Sequence, residues 1–184
     1  MPTFPLPFRP KQNYRKGGLR FGADRDGGAR KHAGCDLLAP KGTEIYAVET
    51  GEVVRGPYPF YHGTDAIEFK LKSSGRIVRY SEIGSAAAGV AIGTTVQEGS
   101  VIAYVGKMYK SSMLHFEMYE GTASGHLTNR SNPPFQRRKD LFDPGDYLDN
   151  CTLWNVLAGQ RALDSIEQSI QDWVKGVLPT RWIL

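Results

Sequence analysis

The sequence is poor in the residues that staple or span a protein. Two cysteines, Cys35 and Cys151, in 184 residues cannot build a disulfide framework. They fit a reduced chain as well as a single bridge. No apolar run approaches eighteen residues, so no membrane span is expected. The opening Met1-Pro2-Thr3-Phe4-Pro5-Leu6-Pro7-Phe8 lacks the basic stretch and apolar core of a secretory signal, so the chain reads as made without a Sec signal. Histidine is scarce, at four residues. A strong charge of one sign is also missing: the net charge is only +4, with residues 1–31 carrying +6 and the remainder −2. An excess confined to one arm argues against a nucleic-acid surface, and apart from Arg137-Arg138-Lys139 there is no aromatic–basic RNA module. No nucleic-acid partner is expected. What remains, 40% hydrophobic and 23% charged residues, is an ordinary globular chain able to bury a core.

The pattern along the chain divides it into three. Residues 1–28 are rich in Pro, Gly and Arg without periodicity, and read as a basic, extended arm. From residue 29 to 150 short apolar segments alternate with glycine turns. Residues 45–54 read as strand, Gly turn, strand; 66–71 and 76–83 as a hairpin across Ser73-Ser74-Gly75; 101–106 and 113–119 as two more strands. This predicts a mainly β, antiparallel domain. Residues 121–150 read as a long loop ending in a turn or short helix near Leu141-Phe142-Asp143-Pro144. Residues 151–184 form a helical extension, in which Ile166, Ile170, Trp173, Val174 and Val177 make one apolar stripe. The stripe reads as packing on the core, with partner binding as the alternative.

Two of the four histidines stand in suggestive places. His32 and Asp36 flank Ala33-Gly34-Cys35. In a straight strand their Cα atoms would be roughly 13 Å apart, so a shared ion requires a bend near Gly34. His115, on Met113-Leu114-His115-Phe116-Glu117, faces the same way as residues 113 and 117 and offers a third donor from a neighbouring strand. Imidazole and carboxylate suit Zn²⁺, and three protein ligands with an open fourth position suit catalysis. On spacing alone, a hydrogen-bonded core histidine and an Asx turn at Asp36 remain equally open readings.

The combined motifs resemble the M23 family of zinc metallopeptidases, the LytM and lysostaphin type. The family reads H-x-G-x-D, A-P-x-G-T-x-V-x-A and G-x-V, then R-Y-x-H-L, V-x-x-G-x-x-I/L-x-x-V-G and H-L-H-F-E. This chain has His32–Asp36, Ala39-Pro40-Lys41-Gly42-Thr43, Gly51-Glu52-Val53, Arg79-Tyr80-Ser81-Glu82-Ile83, Val96 to Gly106 and Met113–Glu117 in the same order. The resemblance implies a β-sheet groove, Zn²⁺ held by His32, Asp36 and His115, and hydrolysis of stem and cross-bridge peptides of bacterial peptidoglycan. Two non-ligand histidines, which in the family orient water and stabilise the tetrahedral intermediate, are Glu82 and Met113 here. Glu82 is therefore expected to act as general base, or else to pair with Arg79 or another arginine. The missing oxyanion donor is expected from His62, Tyr58 or Tyr61 of the aromatic loop, or from Arg79. That loop otherwise reads as a lid that packs or binds substrate. Cys35 reads as a buried apolar neighbour of the ligands with thiolate ligation as the alternative, and His126 as a surface residue with lining of the groove as the alternative. Arg25 and Arg30 read as a solvated arm, with pairing to carboxylates of a stem peptide as the alternative.

The implied function is a zinc-dependent peptidoglycan endopeptidase. The alternative is a catalytically inactive module of the same fold that binds wall peptide or a protein partner. Without a Sec signal, action in the periplasm or outside the cell implies an exported antibacterial toxin or a phage lysis protein. A toxin would require an immunity or inhibitor protein that plugs the groove.

Overall fold

A computed structural model describes residues 1–177, apart from the side chains of 157, 161 and 173–177. Eleven short strands precede two helices among these residues: β1 (Asp24–Arg25), β2 (Arg30–Lys31), β3 (Cys35–Leu38), β4 (Glu44–Tyr46), β5 (Gly51–Pro59), β6 (Asp65–Leu71), β7 (Ile77–Ala86), β8 (Thr95–Val96), β9 (Val101–Val105), β10 (Met113–Tyr119), β11 (Leu141–Phe142), α1 (Gly145–Asp149) and α2 (Trp154–Val177). β1 and β2 form a small hairpin, and the other nine strands form one antiparallel sheet. The mainly β architecture with a C-terminal helix is the one expected. No helix among the described residues is long and apolar enough to cross a membrane.

Period-two alternation decides what each face of the central strands does. On β3, β7 and β10 one set of side chains (Cys35, Leu37, Val78, Tyr80, Leu114, Phe116, Met118) enters the hydrophobic core. Tyr80 meets Phe116 and Phe69 edge-on, with ring centroids 5.6 and 6.1 Å away. Each such buried side chain contributes about 1.5–3 kcal/mol. The alternate residues Asp36, Arg79, Ser81, His115 and Glu117 lie on the opposite face and are buried as well. Register aligns them across the sheet: His115 opposes Asp36 on one side and Ser81 on the other, and Glu117 opposes Arg79. One sheet face thus holds the fold and the other collects ionisable groups.

The expected bend falls at Gly34, immediately before β3. A Cβ there would run into the carbonyl of Phe116 on β10, so only glycine permits this approach. Gly34→Ala should cost about 1–3 kcal/mol by overpacking and separate His32 from Asp36. Urea unfolding together with zinc content reads both effects, and an unchanged midpoint would show that the backbones need not approach.

The basic arm, expected to be extended, is instead a run of bends and turns with 3-10 turns at Gly17–Leu19 and Asp26–Gly28, and it is pinned to the fold. Phe4, Leu6 and Tyr14 are in the core, and Thr3 and Phe4 bond to the backbones of Val48 and Thr152 at 2.7 and 2.8 Å. Much of its positive charge is used locally. Arg15 faces Asp143, Asp146 and Asp149, Arg25 faces Asp36, Arg30 faces Asp26 and Lys31 faces Asp24. Arg9 donates to the carbonyls of Leu148, Asp149 and Cys151 at the end of α1, where a cation is favoured. The solvated arm expected at Arg25 and Arg30 is therefore a set of ion pairs.

α2 begins at Trp154, inside the expected helical extension of residues 151–184 but ahead of its apolar stripe, and the Trp154 ring packs over Gly99. Its described apolar residues Val156, Leu163, Ile166 and Ile170 are exposed, so the expected packing of this stripe on the core does not occur there. The stripe's Trp173, Val174 and Val177 side chains lie outside the described residues. Cys35 and Cys151 are both buried and free, which decides against the bridge.

Candidate metal centre

Three donor atoms meet at the polar face of β3 and β10. His32 Nε2 is 3.0 Å from Asp36 Oδ1 and 3.0 Å from His115 Nδ1, and His115 Nδ1 is 2.7 Å from Asp36 Oδ1. All three residues are buried. Their outer atoms are fixed too. His32 Nδ1 donates to the Arg20 carbonyl at 2.8 Å, and His115 Nε2 donates to Glu117 Oε1 at 2.9 Å. With these nitrogens carrying the protons, each neutral ring turns a lone pair inward, towards the other ring and towards a carboxylate oxygen. Three acceptors in contact repel unless a cation lies between them.

That requirement is the test of fit for a metal. Tetrahedral zinc ligands about 2.0–2.1 Å from the ion sit about 3.3 Å from one another, so these donors need to part by only a few tenths of an ångström. The N, N, O donor set suits Zn²⁺, and the outer carbonyl and carboxylate are the partners that ligating histidines use. Without a metal, a proton takes its place. Burial opposes an imidazolium at His115, but hydrogen bonds to Asp36 and Glu117 outweigh burial and lift it to about 10. Burial, assisted by His115, holds His32 below its usual value despite Asp36. Burial would raise Asp36, yet the two histidines keep it well below the ordinary carboxylate range. Cys35, adjacent in sequence, has its thiol pushed by burial to about 12 and belongs to the core, so thiolate ligation is not supported.

Behind His115 stands a second, wholly buried group. Glu117 accepts from Arg79 Nη2 at 2.5 Å, from Arg137 Nε at 3.0 Å, from His115 and from the Tyr119 hydroxyl. Burial would raise this carboxyl, but Arg79, Arg137 and His115 hold it well below its usual value. Arg79 is thus neither an oxyanion donor nor the partner of Glu82, two roles expected for it. Arg137, read as part of a basic run, is a structural cation. Glu117 was visible as a strand-mate of His115, but nothing in the local sequence announced that Arg137 would return to meet it.

Glu82 is placed by an irregularity. Tyr80 and Ile83 both enter the core, a spacing of three that a regular strand cannot supply. Pairing with β6 jumps from Ser81–Ala66 to Ile83–Asp65, leaving Glu82 as the extra residue of a β-bulge at φ 63°. A left-handed backbone at a glutamate costs on the order of 1–3 kcal/mol and re-aims the side chain. The result lines a groove of about 670 Å³ together with His32, Asp36 and His115. Glu82 is only 8% exposed and its Oε2 has no hydrogen-bond partner. Burial lifts its carboxyl to about 7, with Asp36 and Glu117 adding to the effect and His115 and Arg25 opposing it.

His62, Tyr61, Phe60 and Met113 line the same groove, and Arg25 joins them while donating to Asp36 Oδ2 at 3.2 Å. The His62 ring lies tilted at 55° against that of Tyr109, with centroids 4.5 Å apart. Tyr58 instead donates to the buried Glu68 at 2.8 Å, away from the triad. His126 is exposed, as expected, and lines an adjoining cavity.

The sequence profile of peptidase family M23 matches residues 30–129, a span that includes His32, Asp36, Glu82 and His115. No curated protein sequence matches the chain. Among solved structures, the catalytic domain of the antimicrobial peptidase lysostaphin from Staphylococcus simulans superposes with a TM-score of 0.56 at 22% identity, covering 73% of this chain and 92% of that one. LytU gives a TM-score of 0.55 at 23% identity, covering 75% of this chain and 89% of its own. Csd3 of Helicobacter pylori gives 0.50 at 20% identity, covering 94% of this chain and 44% of its own. At such identities the structural likeness establishes the fold. The family match spans more than half of the sequence and contains the whole triad, and on that ground the chain belongs to peptidase family M23.

Proposed function

We propose that the protein is a zinc-dependent endopeptidase that cuts peptide crosslinks of bacterial peptidoglycan. The observation that carries this reading is the convergence of three inward-facing donors, His32 Nε2, Asp36 Oδ1 and His115 Nδ1, beside an orphaned buried carboxylate in an open groove. Zinc held there supplies Lewis acidity and lowers the pKa of a water towards about 7. The chain's own residues supply the remainder. Glu82 Oε2 accepts a proton from the attacking water and later returns it to the departing amine. Arg25 holds Asp36 through its outer oxygen, leaving Oδ1 to the centre. His62 and Tyr61 are the donors that the aromatic loop brings into the groove for a developing oxyanion, since Met113 has none to offer. Glu117 and the Arg20 carbonyl hold the two imidazoles in the ligating tautomer.

Peptidoglycan lies outside the cytoplasm, so on this reading the protein acts in the periplasm or outside the cell. A producer with the same wall chemistry would then need an inhibitor that fills the groove. The second reading, an inactive wall-binding module, is favoured by Met113, which occupies the groove where a proton donor would assist. Incubation of the zinc-loaded protein with purified sacculi separates the two. Wild type should release new muropeptides, and His115→Ala should lose bound zinc and at least about 10³-fold of the activity. Bound zinc without any muropeptide change would defeat the enzyme reading.

A further inference from the structure

A second cavity of about 360 Å³ adjoins the metal-side groove and shares Phe60, Tyr61 and Arg130 with it. Its other walls include Arg55, Tyr58 and His126. A peptide lying in the groove and passing this shared rim meets Arg130 on the way. Charge pairing singles that residue out. Of the other arginines lining the groove, Arg25 faces Asp36, Arg30 faces Asp26 and Arg137 faces Glu117. Arg130 has no carboxylate partner among the described residues, and it is exposed on the loop after β10.

Arg55 is a further guanidinium at this cavity. It stacks over the Tyr58 ring, 4.5 Å from its centroid, and donates to Glu68 Oε1 at 3.3 Å. Glu68 is buried and also receives the Tyr58 hydroxyl, so Arg55 and Glu68 form an ion pair at the cavity wall, and the net positive charge there is that of Arg130. The unpaired Arg130, beside the aromatic lining of Phe60 and Tyr61 and opposite the Arg55 guanidinium stacked on Tyr58, makes a concave site for an anion carried on an aliphatic stem. We propose that this cavity is a substrate subsite for a carboxylate of the bound peptide, with Arg130 as its anchor, the Glu68-paired Arg55 as a further guanidinium donor and Phe60 and Tyr61 as the wall for the stem. The inference rests on the endopeptidase reading and adds a substrate class to it: acidic peptides with a free carboxylate near the scissile bond. A side-chain carboxylate and a chain-terminal carboxylate share this chemistry.

The test uses the full zinc-loaded chain and three fluorescein-labelled synthetic cross-linked peptides. One carries both carboxylates, one has the side-chain acid converted to the amide, and one has the terminal acid converted to the amide. Anisotropy gives binding and chromatography gives cleavage. Wild type should bind the diacid about 10–100-fold more tightly than whichever amide removes the recognised group, the range of a charged hydrogen bond. The preference should shrink as salt is raised. Arg130→Gln, at an exposed position with no carboxylate partner to lose, should erase that preference by raising KM for the acid peptide about 10–100-fold, far more than for the amide that lacks the recognised group. Arg130→Lys should restore it in part. Equal binding of acid and amides by wild type, or an equal loss for all three in Arg130→Gln, overturns the subsite even where cleavage proceeds. Acid-selective binding through Arg130 without cleavage supports the subsite and defeats the endopeptidase reading. Neither binding nor cleavage defeats both.

Discussion

Glu117→Ala should cost the folded protein about 3–5 kcal/mol or more, the largest stability loss expected from a single side chain here. Removing one partner of a buried ion pair carries that penalty because the other charge is stranded in a poorly solvating interior. Glu117 has zero exposure and answers two guanidiniums, Arg79 at 1% exposure and Arg137 at 3%, so one deletion strands both. It also removes the acceptor of His115 Nε2. Set against a total stability of roughly 5–15 kcal/mol for a domain, the loss consumes a large part of the whole. The pH dependence has a definite sign. The folded carboxyl lies well below its ordinary 4.5 because its cations outweigh burial. Its stabilisation is thus fully present above about 4.5 and is lost as pH falls towards the folded value. Urea unfolding at pH 7 and at pH 3.5 reads this: wild type should lose stability on acidification through this group, and Glu117→Ala should lack that component. Pairing Glu117→Gln with Arg137→Gln should recover part of the loss, because one stranded cation leaves with its anion. A Glu117→Ala protein that unfolds at the wild-type urea midpoint would show that the hub does not hold the fold.

The contrast between Glu117 and the triad shows what a sequence can and cannot disclose. His32, Asp36 and His115 were suggested by a glycine bend and a four-residue spacing, but spacing alone left a core histidine and an Asx turn equally open. The resemblance to family motifs singled them out, and His115 meets the other two across 79 and 83 residues of sequence. The strands were legible because alternation and glycine punctuation act over a few residues. The partners of Glu117 were not. Arg137 reaches it from a loop twenty residues on, and a run of three basic residues carries no sign that one member is buried. The use of the arm was hidden likewise. Its arginines look like a surface field in the sequence, whereas Arg9 and Arg15 meet α1 more than 130 residues away. The exposed stripe of α2 shows the opposite limit, because amphipathic spacing predicts a face and says nothing about what covers it. Glu82 was legible as a residue and invisible as a geometry, since glutamate gives no propensity signal for a left-handed bulge.

That geometry sets the second large effect: Glu82→Gln should lower kcat by about 10²–10⁴-fold, the usual worth of a general base, while leaving bound zinc intact. An amide of the same shape fills the same space and cannot take a proton. The pH profile distinguishes this from a structural injury. Burial brings the Glu82 carboxyl to about 7, and a divalent cation beside it lowers that value by favouring the ionised form. Wild-type activity should therefore rise with pH along a limb ending at or below about 7, and the residual activity of Glu82→Gln should lack that limb. Stability should move the other way. Lifting a buried carboxyl from 4.5 to about 7 disfavours the ionised folded state by on the order of 3 kcal/mol, at about 1.4 kcal/mol per pH unit. This penalty is absent below about 4.5, grows as pH rises towards 7 and is constant above it. In chelator-treated protein at pH 8, Glu82→Gln should accordingly be the more stable form, with the gap closing at pH 4.5. The gain will fall short of the full amount, because the amide brings donors of its own into a pocket where Oε2 found no partner. On the endopeptidase reading, proton transfer is the function that accounts for a residue that weakens the fold and twists its own backbone at the groove. A Glu82→Gln protein with wild-type kcat would remove that function and leave the proton transfer to another group.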